Sequence, residues 1–503
     1  MYTIADPLAH ANRVASDRIA TVCGSTRHSF GQLWSRCRRL ATALGDAGIG
    51  PGERVAILAQ NSHQYIEVYI GAPASGRVVV PLNTRHAEPE LRYALEDSGT
   101  RLLLTDREPD GLADCVERIV RIPDEYEDWI AKATESELGE GIDEETLAGL
   151  FYTGGTTGLS KGVMLTHRNL IANAFHWMAR VLHTSSDVML VMAPLFHAAG
   201  SNGVLANIWT GGTQVLLPGF DPAVALDLIE AEACTATLGV PTMLSALAEE
   251  QLARPRDTSS MRWIAHGGSP IASEVLRRVH LAIPSAELIE VYGATELSPL
   301  ATVLRREESL IETERVRSCG QPLPGVEVRI VAEDGIPLPP GSVGEVTVRA
   351  PTVMRGYWKK AEQTASALRD GYYWTGDLGY MDDEGFLFLV DRSKDMIVSG
   401  GENVYSTEVE EVLFAHPAVL EAAVFGVPDD RWGEAVWAAV QLREGEPHDA
   451  DALIRFCRER LGGYKVPKGI DLYTEPLPKS GPGKFLKRKL REPYWKGRDR
   501  AVN

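Results

Sequence analysis

Short apolar runs alternate with helix-length stretches through the first part of the chain. ERVAILA (53–59), VVVPLN (78–83) and RLLLTD (101–106) have the length and apolar character of buried strands. HQYIEVYIGAPASG (63–76) and PELRYALEDSG (89–99) lie between them and have the length of helices. Because strands alternate with helices, the pattern predicts βαβ units and a mainly parallel sheet.

The pattern changes twice further along the chain. Two alternating runs in residues 326–350 flank a Gly/Pro turn, which predicts a hairpin or a small β-barrel. After the segment DRSKD (391–395), a helix and a strand over 409–429 and a helix over 450–461 predict a compact α+β unit. The predicted fold class is α/β, with a large N-terminal domain of parallel-sheet subdomains plus a small β-barrel, and a small α+β C-terminal domain.

Length and cysteine pattern limit the classes of protein. A chain of 503 residues is too long for one hydrophobic core, so at least two domains are expected. The six cysteines are scattered without a C-x-x-C pair, which argues against a disulfide framework or a zinc site and favours a cytoplasmic location. Neither a signal peptide nor about 18 uninterrupted apolar residues is found, so no integral membrane association is expected.

The formal net charge of −18 argues against generic binding to nucleic acid. It also means that a site for an anionic ligand must be locally basic, and PKSGPGKFLKRKLREPYWKGR (478–498) has that character. Acidic residues are concentrated in 124–145, which is interpreted as an exposed connector before the next strand.

The segment YTGGTTGLSKG (152–162) is the strongest chemical signal. Its glycines and threonines offer backbone N–H groups and hydroxyls to phosphate oxygens, and a lysine follows them. It is not a Walker A loop, because Ser160 precedes Lys161 and the next residues, VMLTH, have the pattern of a strand. The competing interpretation is a flexible hairpin loop.

The segment EVYGATE (290–296) combines an aromatic ring, a glycine, a hydroxyl and a carboxylate. Tyr292 can stack on a base, Thr295 can contact a phosphate oxygen, and Glu296 can bind Mg²⁺, which prefers oxygen ligands. Alone the motif is weak, since Tyr and Glu at a strand end are commonly structural.

Two further segments carry candidate polar groups. Asp377, in the turn WTGDLG, can accept hydrogen bonds from two sugar hydroxyls or can cap its own turn. Arg392 is either a ligand-binding cation or half of a surface ion pair with Asp391.

Lys484 follows Ser-Gly-Pro-Gly, a turn that can carry one lysine into a cleft. The plain interpretation of Lys487, Arg488 and Lys489 is a solvated basic face, and the same alternative applies to Lys484.

In this order and spacing, the motifs resemble the adenylate-forming superfamily of acyl-CoA synthetases, carrier-protein adenylation domains and beetle luciferases. The resemblance extends from VPLN near residue 80 to GKFLK near 487. It implies an acyl-CoA synthetase that uses ATP, Mg²⁺ and coenzyme A to convert a carboxylic acid through an acyl-AMP into a thioester. It also implies an adenylation domain over 1–393 and a mobile domain over 394–503, with Lys394 as the hinge, and it is compatible with a homodimer.

The resemblance also implies roles for individual residues. The ATP phosphates are held by Thr153, Gly154, Gly155, Thr156, Thr157, Gly158 and Lys161. Adenine is approached by Gly267, Gly268, Ser269 and Tyr292, and ribose by Asp377 and Arg392. Catalysis falls to Thr295, Glu296 and Lys484, with Glu296 and Thr157 at the metal ion. Trp432, Tyr464 and Lys468 match a coenzyme A site, although Trp432 is equally a candidate for packing.

The acyl pocket is expected at APLFHAAG (193–200), with Val291 and Gly293 beside it. His197 matches a gate aromatic, the alternative being a packed or capped core histidine. Ala198 stands where amino-acid-activating domains carry an aspartate, which disfavours an amino acid, and Ala199 is small. His176 and Trp177 lie on the helix after the loop, and for His176 a surface role competes with pocket lining. The expected substrate is a hydrophobic monocarboxylate: a fatty acid, or an aryl-propenoic or sterol-side-chain acid.

Two other functions are open on the sequence alone. One is a fatty acyl-AMP ligase that loads a carrier protein, for which free coenzyme A is inert. The other is a nucleotide-binding module without activity, which requires a lost lysine or a broken loop, and both Lys484 and the loop are intact.

Overall fold

The computed structural model describes residues 2–153, 160–269, 271–306, 313–392, 395–399, 402–429, 431–479 and 485–496. The helices are α1 Ala5–Ala15, α2 Phe30–Asp46, α3 His63–Ala74, α4 Glu88–Ser98, α5 Asp124–Lys132, α6 His167–Arg180, α7 Ala198–Trp209, α8 Pro222–Ala231, α9 Pro241–Ala253, α10 Ser273–Ala282, α11 Ala361–Ala367, α12 Ser406–Phe414, α13 Ala450–Arg458 and α14 Lys487–Trp495.

The strands are β1 Ile19–Cys23, β2 Thr26–Ser29, β3 Arg54–Leu58, β4 Val78–Pro81, β5 Leu102–Thr105, β6 Arg118–Arg121, β7 Leu147–Thr153, β8 Lys161–Thr166, β9 Val188–Val191, β10 Thr213–Leu216, β11 Ala236–Gly239, β12 Trp263–Gly267, β13 Glu287–Tyr292, β14 Thr302–Arg306, β15 Gln321–Pro322, β16 Glu327–Val331, β17 Gly344–Arg349, β18 Gly356–Tyr357, β19 Leu368–Arg369, β20 Tyr372–Met381, β21 Leu387–Arg392, β22 Ile397–Ser399, β23 Glu402–Val404, β24 Val419–Asp429, β25 Gly433–Leu442 and β26 Gly469–Tyr473.

Two large sheets form the framework of the N-terminal domain. The seven-stranded sheet has the order β18-β8-β7-β4-β3-β5-β6, and the nine-stranded sheet has the order β15-β14-β13-β12-β11-β9-β10-β1-β2. Their centres are parallel, as predicted, while β8, β18, β14, β15 and β2 add antiparallel edges. The predicted α/β class, with a large N-terminal and a smaller C-terminal domain, is confirmed.

Helix α3 shows why the predicted strands and helices assemble in this way. Ser62 begins the helix by accepting a hydrogen bond from the Tyr65 backbone N–H. Every residue of His63–Ala74 is buried, because the helix packs against strands of both large sheets. Such a position suits a helix whose residues are mostly apolar, while its polar side chains His63, Gln64 and Glu67 lie near its start.

The remaining strands form two smaller sheets. Strands β16, β17, β20, β19 and β21 make an antiparallel sheet where the sequence predicts a hairpin or small barrel. In the C-terminal domain, β23-β22-β25-β24 and β26 carry a separate core with α12 and α13. The domain boundary at 393/394 lies outside the described residues and stays a prediction, as does the hinge at Lys394.

The interpretation of 124–145 as an exposed connector is wrong at its start. Residues Asp124–Lys132 form α5, in which Tyr126 and Ile130 are buried. The apolar positions Tyr126 and Ile130 are one helical turn apart, and this spacing is obscured by the acidic residues around them.

Among the described residues, no helix is both long and apolar enough to cross a bilayer.

Candidate active site

Strands β7 and β8 form the hairpin whose loop was predicted to hold phosphates. Thr153 at the end of β7 pairs with Lys161 at the start of β8. The predicted phosphate contacts between them, Gly154, Gly155, Thr156, Thr157 and Gly158, lie outside the described residues. The hairpin therefore places Thr153 and Lys161 on the two sides of the loop, near the β18 edge of the seven-stranded sheet.

Tyr357 joins Lys161 to Glu296. The Lys161 Nζ lies 4.6 Å from the centre of the Tyr357 ring. The Tyr357 hydroxyl donates a 2.8 Å hydrogen bond to Glu296 Oε1. Burial, followed by the charge of Glu296, raises the pKa of Tyr357, so the phenol remains a donor at neutral pH. The structure thus brings together a cation and a carboxylate that are far apart in sequence.

Tyr357 was missed by the sequence reasoning. It lies in the short strand β18, which pairs with β8 and so carries the ring to Lys161. The local sequence MRGYW contains an aromatic residue after a glycine, but no signal that links it to a carboxylate 61 residues away.

The ends of β12 and β13 come together as neighbouring parallel strands, with Gly267 opposite Val291. A Cβ atom on Gly267 would lie 2.2 Å from the Val291 carbonyl oxygen. Gly268 has a φ of +81°, in the region that favours glycine. A Cβ on Gly293 would lie 1.8 Å from the Pro299 carbonyl oxygen. Gly267 and Gly293 are therefore required by the close packing of the backbone, and Gly268 by its backbone conformation, whatever ligand binds beside them.

The predicted adenine and ribose residues meet at Tyr292. Its buried hydroxyl donates a 2.8 Å hydrogen bond to Asp377 Oδ2. Asp377 on β20 is opposite Arg392 on β21, whose side chain lies outside the described part of the chain. Asp391 is buried and accepts a 2.7 Å hydrogen bond from the Ser406 backbone N–H, which does not fit a surface ion pair. Thr295 and Glu296 follow in a short 3₁₀ turn, Thr295–Leu297.

An apolar cavity lies beside this strand end. It is narrow, with a volume of ≈ 20 Å³, which is room for about one water molecule. Its lining residues are Asn173, Trp177, Met189, Ala199, Gly203, Leu238, Trp263, Val291, Pro299 and Leu300. Two predicted acyl-pocket residues, Ala199 and Val291, are among them, and Trp177 lines the pocket while His176 does not.

His197 lies at the residue before α7 and does not cap it. Its Nε2 is buried, and within the described part of the chain no hydrogen-bond partner reaches it. Burial, with smaller contributions from Arg85 and His86, lowers the pKa of His197 to about 3, so the ring is neutral at pH 7. Its ring centre is 4.5 Å from that of Phe196, and Ala198 after it is buried.

The predicted coenzyme A residues lie on the surface of the C-terminal domain. Trp432 is 40% exposed and Tyr464 is 43% exposed, so Trp432 is not a core residue. Arg431 stacks over Trp432, and Lys465 lies over Tyr464. Lys468 is exposed, with its backbone N–H bonded to the Val436 carbonyl. Exposed rings flanked by cations can bind an anionic nucleotide.

Lys484 lies outside the described residues, but its neighbour Lys487 corrects the sequence interpretation. The Lys487 side chain is 15% exposed, and its Nζ is 2.7 Å from Glu410 Oε1 and 2.6 Å from Ser406 Oγ. Lys487 is therefore not part of a solvated basic face, whereas Arg488 and Lys489 are exposed. The segment after Lys484 is held to α12, and through Ser406 to Asp391.

Family models match both parts of the chain. The model described as AMP-binding enzyme matches residues 8–358, and the model described as AMP-binding enzyme C-terminal domain matches residues 408–484.

Relatives of known activity align over almost the whole length. A feruloyl-CoA synthase from an Amycolatopsis species is 40% identical, with 96% of this chain and 97% of the relative covered. A fatty acid–[acyl-carrier-protein] ligase from Streptomyces coeruleorubidus is 36% identical, with 96% and 95% covered. The structure of O-succinylbenzoate coenzyme A synthetase from Bacillus subtilis with ATP and magnesium ion is 32% identical, covers 96% of this chain and 99% of that chain, and has a TM-score of 0.86.

Proposed function

This chain belongs to the AMP-binding enzyme family, the adenylate-forming acyl-CoA ligases, and we propose that its substrate is an aryl-substituted hydrophobic acid of the aryl-propenoic type. The enzyme is an acid–thiol ligase that works through an acyl-adenylate. A carboxylate oxygen attacks the α-phosphorus of ATP and pyrophosphate leaves. The sulfur of coenzyme A then attacks the acyl carbon, and AMP leaves.

The cavity beside β13 supports the choice of acid. Among the described residues that line it, no side chain is charged, so a second carboxylate or an amine would be buried there without a partner. Trp177 and Trp263 line it, with ring centres 5.7 Å apart in an edge-to-face arrangement. Aromatic rings offer a large apolar surface with specific geometry to another ring. Because the cavity is narrow, these side chains must move apart to admit an acyl group.

The polar residues around the cavity are suited to the first half-reaction. A carboxylate does not readily attack an anionic triphosphate, so the site must supply positive charge and hold the reactants in line. We assign the β- and γ-phosphates to the loop between Thr153 and Lys161, and the ribose to Asp377, which Tyr292 orients. Lys484 is the cation that contacts both the acid and the α-phosphate.

Glu296 fits a magnesium ion. Its Oε1 is oriented by the Tyr357 hydroxyl, and carboxylate oxygens are the ligands that Mg²⁺ prefers. When bound, Mg²⁺ neutralises part of the triphosphate charge.

Pyrophosphate release over a panel of acids tests the substrate. We expect ferulate and 4-coumarate to give values of kcat/KM at least about tenfold above those of palmitate and malonate. Activity restricted to malonate, or preference for palmitate, would contradict the proposal for the acid and leave the ligase chemistry intact.

A pair of lysine variants tests the catalytic assignment. Lys484→Ala should lower acyl-adenylate formation by at least about 100-fold, while Lys489→Ala, which removes an exposed lysine from the same basic segment, should remain near wild type. Near-native adenylation by Lys484→Ala would show that another group supplies the charge.

A carrier-protein ligase is the second candidate, because one relative has that name. Thioester formation with free coenzyme A, compared with a phosphopantetheinylated carrier protein, separates the two. We expect thioester with free coenzyme A.

A further inference from the structure

Three potential metal ligands cluster at one edge of the nine-stranded sheet, on residues that have no part in the proposed reaction. His28 is on the edge strand β2, and His63 and Glu67 are one turn apart at the start of α3. One ligand atom from each lies within 4.8 Å of the other two. Two imidazoles and a carboxylate are a ligand set that protein zinc sites use.

Glu67 is held in place from several directions. Its fully buried carboxylate accepts from Arg36 Nε at 2.7 Å and from the Tyr126 hydroxyl at 2.8 Å, and His63 Nδ1 lies 2.9 Å away. A carboxylate that is held rigidly by these contacts is positioned to bind a cation.

Arg36 does not make the cluster electropositive. Its Nη2 donates to both oxygens of Glu127, each at 2.8 Å. Arg36 therefore has two carboxylate partners, Glu67 and Glu127, and the three groups together carry one negative charge.

His28 supplies the observation that points to a ligand. Its Nδ1 is buried, and no described residue provides a hydrogen-bond partner for it. Its ring is edge-to-face with that of His63, with centres 4.6 Å apart. A buried ring nitrogen without a partner calls for an explanation, and a metal ion is a suitable partner because imidazole nitrogen is a common metal ligand.

We propose that His28, His63 and Glu67 bind one divalent zinc-like transition-metal ion, with water completing the coordination. At metal–ligand distances of about 2.0–2.1 Å, tetrahedral ligand atoms are about 3.3 Å apart. His28 must therefore approach the other two by up to about 1.5 Å, which rotation of this partly exposed side chain on an edge strand allows. No cysteine is needed, so the absence of a C-x-x-C pair does not conflict with the site.

The bound ion would connect the edge hairpin to the helix that supports the acyl pocket. Two residues before His63, the Asn61 amide donates to the carbonyls of Val191 and Ala193 and accepts from the Leu195 backbone N–H. Residues 191–195 lead directly to His197. The proposed role of the ion is therefore structural, at a distance from the reacting groups.

Metal binding to the full-length, tag-free protein tests the site. After dialysis against EDTA and without ATP, we expect calorimetry to give one Zn²⁺ per chain, and Co²⁺ to produce the visible absorption bands of a nitrogen- and oxygen-ligated ion. His28→Ala should weaken Zn²⁺ binding by at least about 100-fold, and His28→Gln should do the same. His448→Ala, at an exposed histidine of the C-terminal domain, should bind as wild type does.

Two further controls make the result decisive. Glu296→Gln should retain the site, which separates it from the predicted magnesium position. Circular dichroism at 222 nm should show that His28→Ala is folded, since its side chain is only partly buried. The proposal is overturned if the wild-type protein shows no saturable Zn²⁺ binding, or if folded His28→Ala and His28→Gln bind Zn²⁺ with wild-type affinity.

Discussion

At the scale of single residues, the chemistry depends on side chains whose ionisation is set by burial and by one or two neighbours. Tyr357 presents its ring to Lys161 and its hydroxyl to Glu296. Such a residue can orient a carboxylate without taking part in the reaction. His167 is a second example: its burial lowers its pKa and so makes the stability of the fold depend on pH.

Tyr357→Phe separates the two contacts, because it keeps the ring and removes the hydroxyl. A hydrogen bond to a charged group contributes about 1.5 kcal/mol or more, so we expect the rate of adenylate formation to fall about tenfold. The rate of adenylate formation is measured as pyrophosphate release at saturating ATP, over a range of Mg²⁺ concentrations. Tyr473→Phe, a partly buried tyrosine on β26, is the control; equal rates for the two variants would exclude the orienting role.

His167 should make the protein less stable in mild acid. Its Nδ1 accepts a 3.1 Å hydrogen bond from the Ile4 backbone N–H, and burial lowers its pKa from 6.5 to about 4. The unfolded chain therefore binds the proton more readily, and stability is lost as the pH falls from about 6.5 towards 4. At pH 5 the loss from this group is about 2 kcal/mol.

Urea unfolding at pH 7 and pH 5 measures this effect. His167→Asn retains an acceptor but does not titrate, so its stability should fall less between the two pH values than that of wild type. His448→Asn, at an exposed position, should follow wild type. If His167→Asn lost as much stability between pH 7 and pH 5 as wild type does, other groups would be responsible for the loss of stability in acid.

At the scale of elements, α14 is connected to β21 through α12. Burial alone lowers the pKa of Lys487, but Glu410, Asp391 and Asp395 raise it above its ordinary value, so the amine is charged. It contacts Glu410 and Ser406 on α12, and the Ser406 N–H donates to Asp391 on β21. The predicted ribose residue Arg392 follows on that strand, and the predicted catalytic Lys484 precedes α14.

Lys487→Met should destabilise the C-terminal domain by about 3 kcal/mol, because Glu410 is left buried without its cation. Lys487→Arg should restore most of the lost stability. Lys489→Met, on the exposed side of α14, should leave the stability of the domain nearly unchanged. Hydrogen–deuterium exchange of α12 and α14 measures the local stability. Equal protection in Lys487→Met and wild type would show that the pair is not needed to hold α14.

At the scale of the whole molecule, a few polar contacts hold the C-terminal domain against the N-terminal domain. Arg443 donates a 2.6 Å hydrogen bond to Glu249 Oε1 on α9, and Arg278 donates to the same oxygen at 3.1 Å. The Ser273 hydroxyl donates to Glu411 at 2.8 Å. Partly exposed ion pairs of this kind contribute about 0–1 kcal/mol each, so we predict that this orientation can change during a reaction.

Arg443→Ala should therefore shift the population of domain orientations by no more than about fivefold. Single-molecule FRET between labels on α8 and α13 measures the populations. Arg278→Ala removes an arginine from the same glutamate within the N-terminal domain and should have a smaller effect. A shift as large in Arg278→Ala would show that Glu249 itself, and not the contact between domains, controls the orientation.

The sequence by itself determined the α/β class, the strands and helices of the first part of the chain, and the family. These features depend on local pattern: apolar runs, helical length and motifs whose residues are contiguous. Gly268 also belongs here, because its φ of +81° is a property of the local turn, whereas Gly267 and Gly293 are required by contacts with Val291 and Pro299.

Only the tertiary structure decided which distant groups meet. Tyr357 reaches Glu296 because β18 pairs with β8, and Lys487 is largely shielded from solvent because α14 packs on β24. The antiparallel sheet edges, the two tryptophans of the cavity and the His28–His63–Glu67 cluster have the same origin. Strand order and helix packing determine which side chains a residue contacts. The pattern of polar and apolar residues along the sequence specifies neither of them.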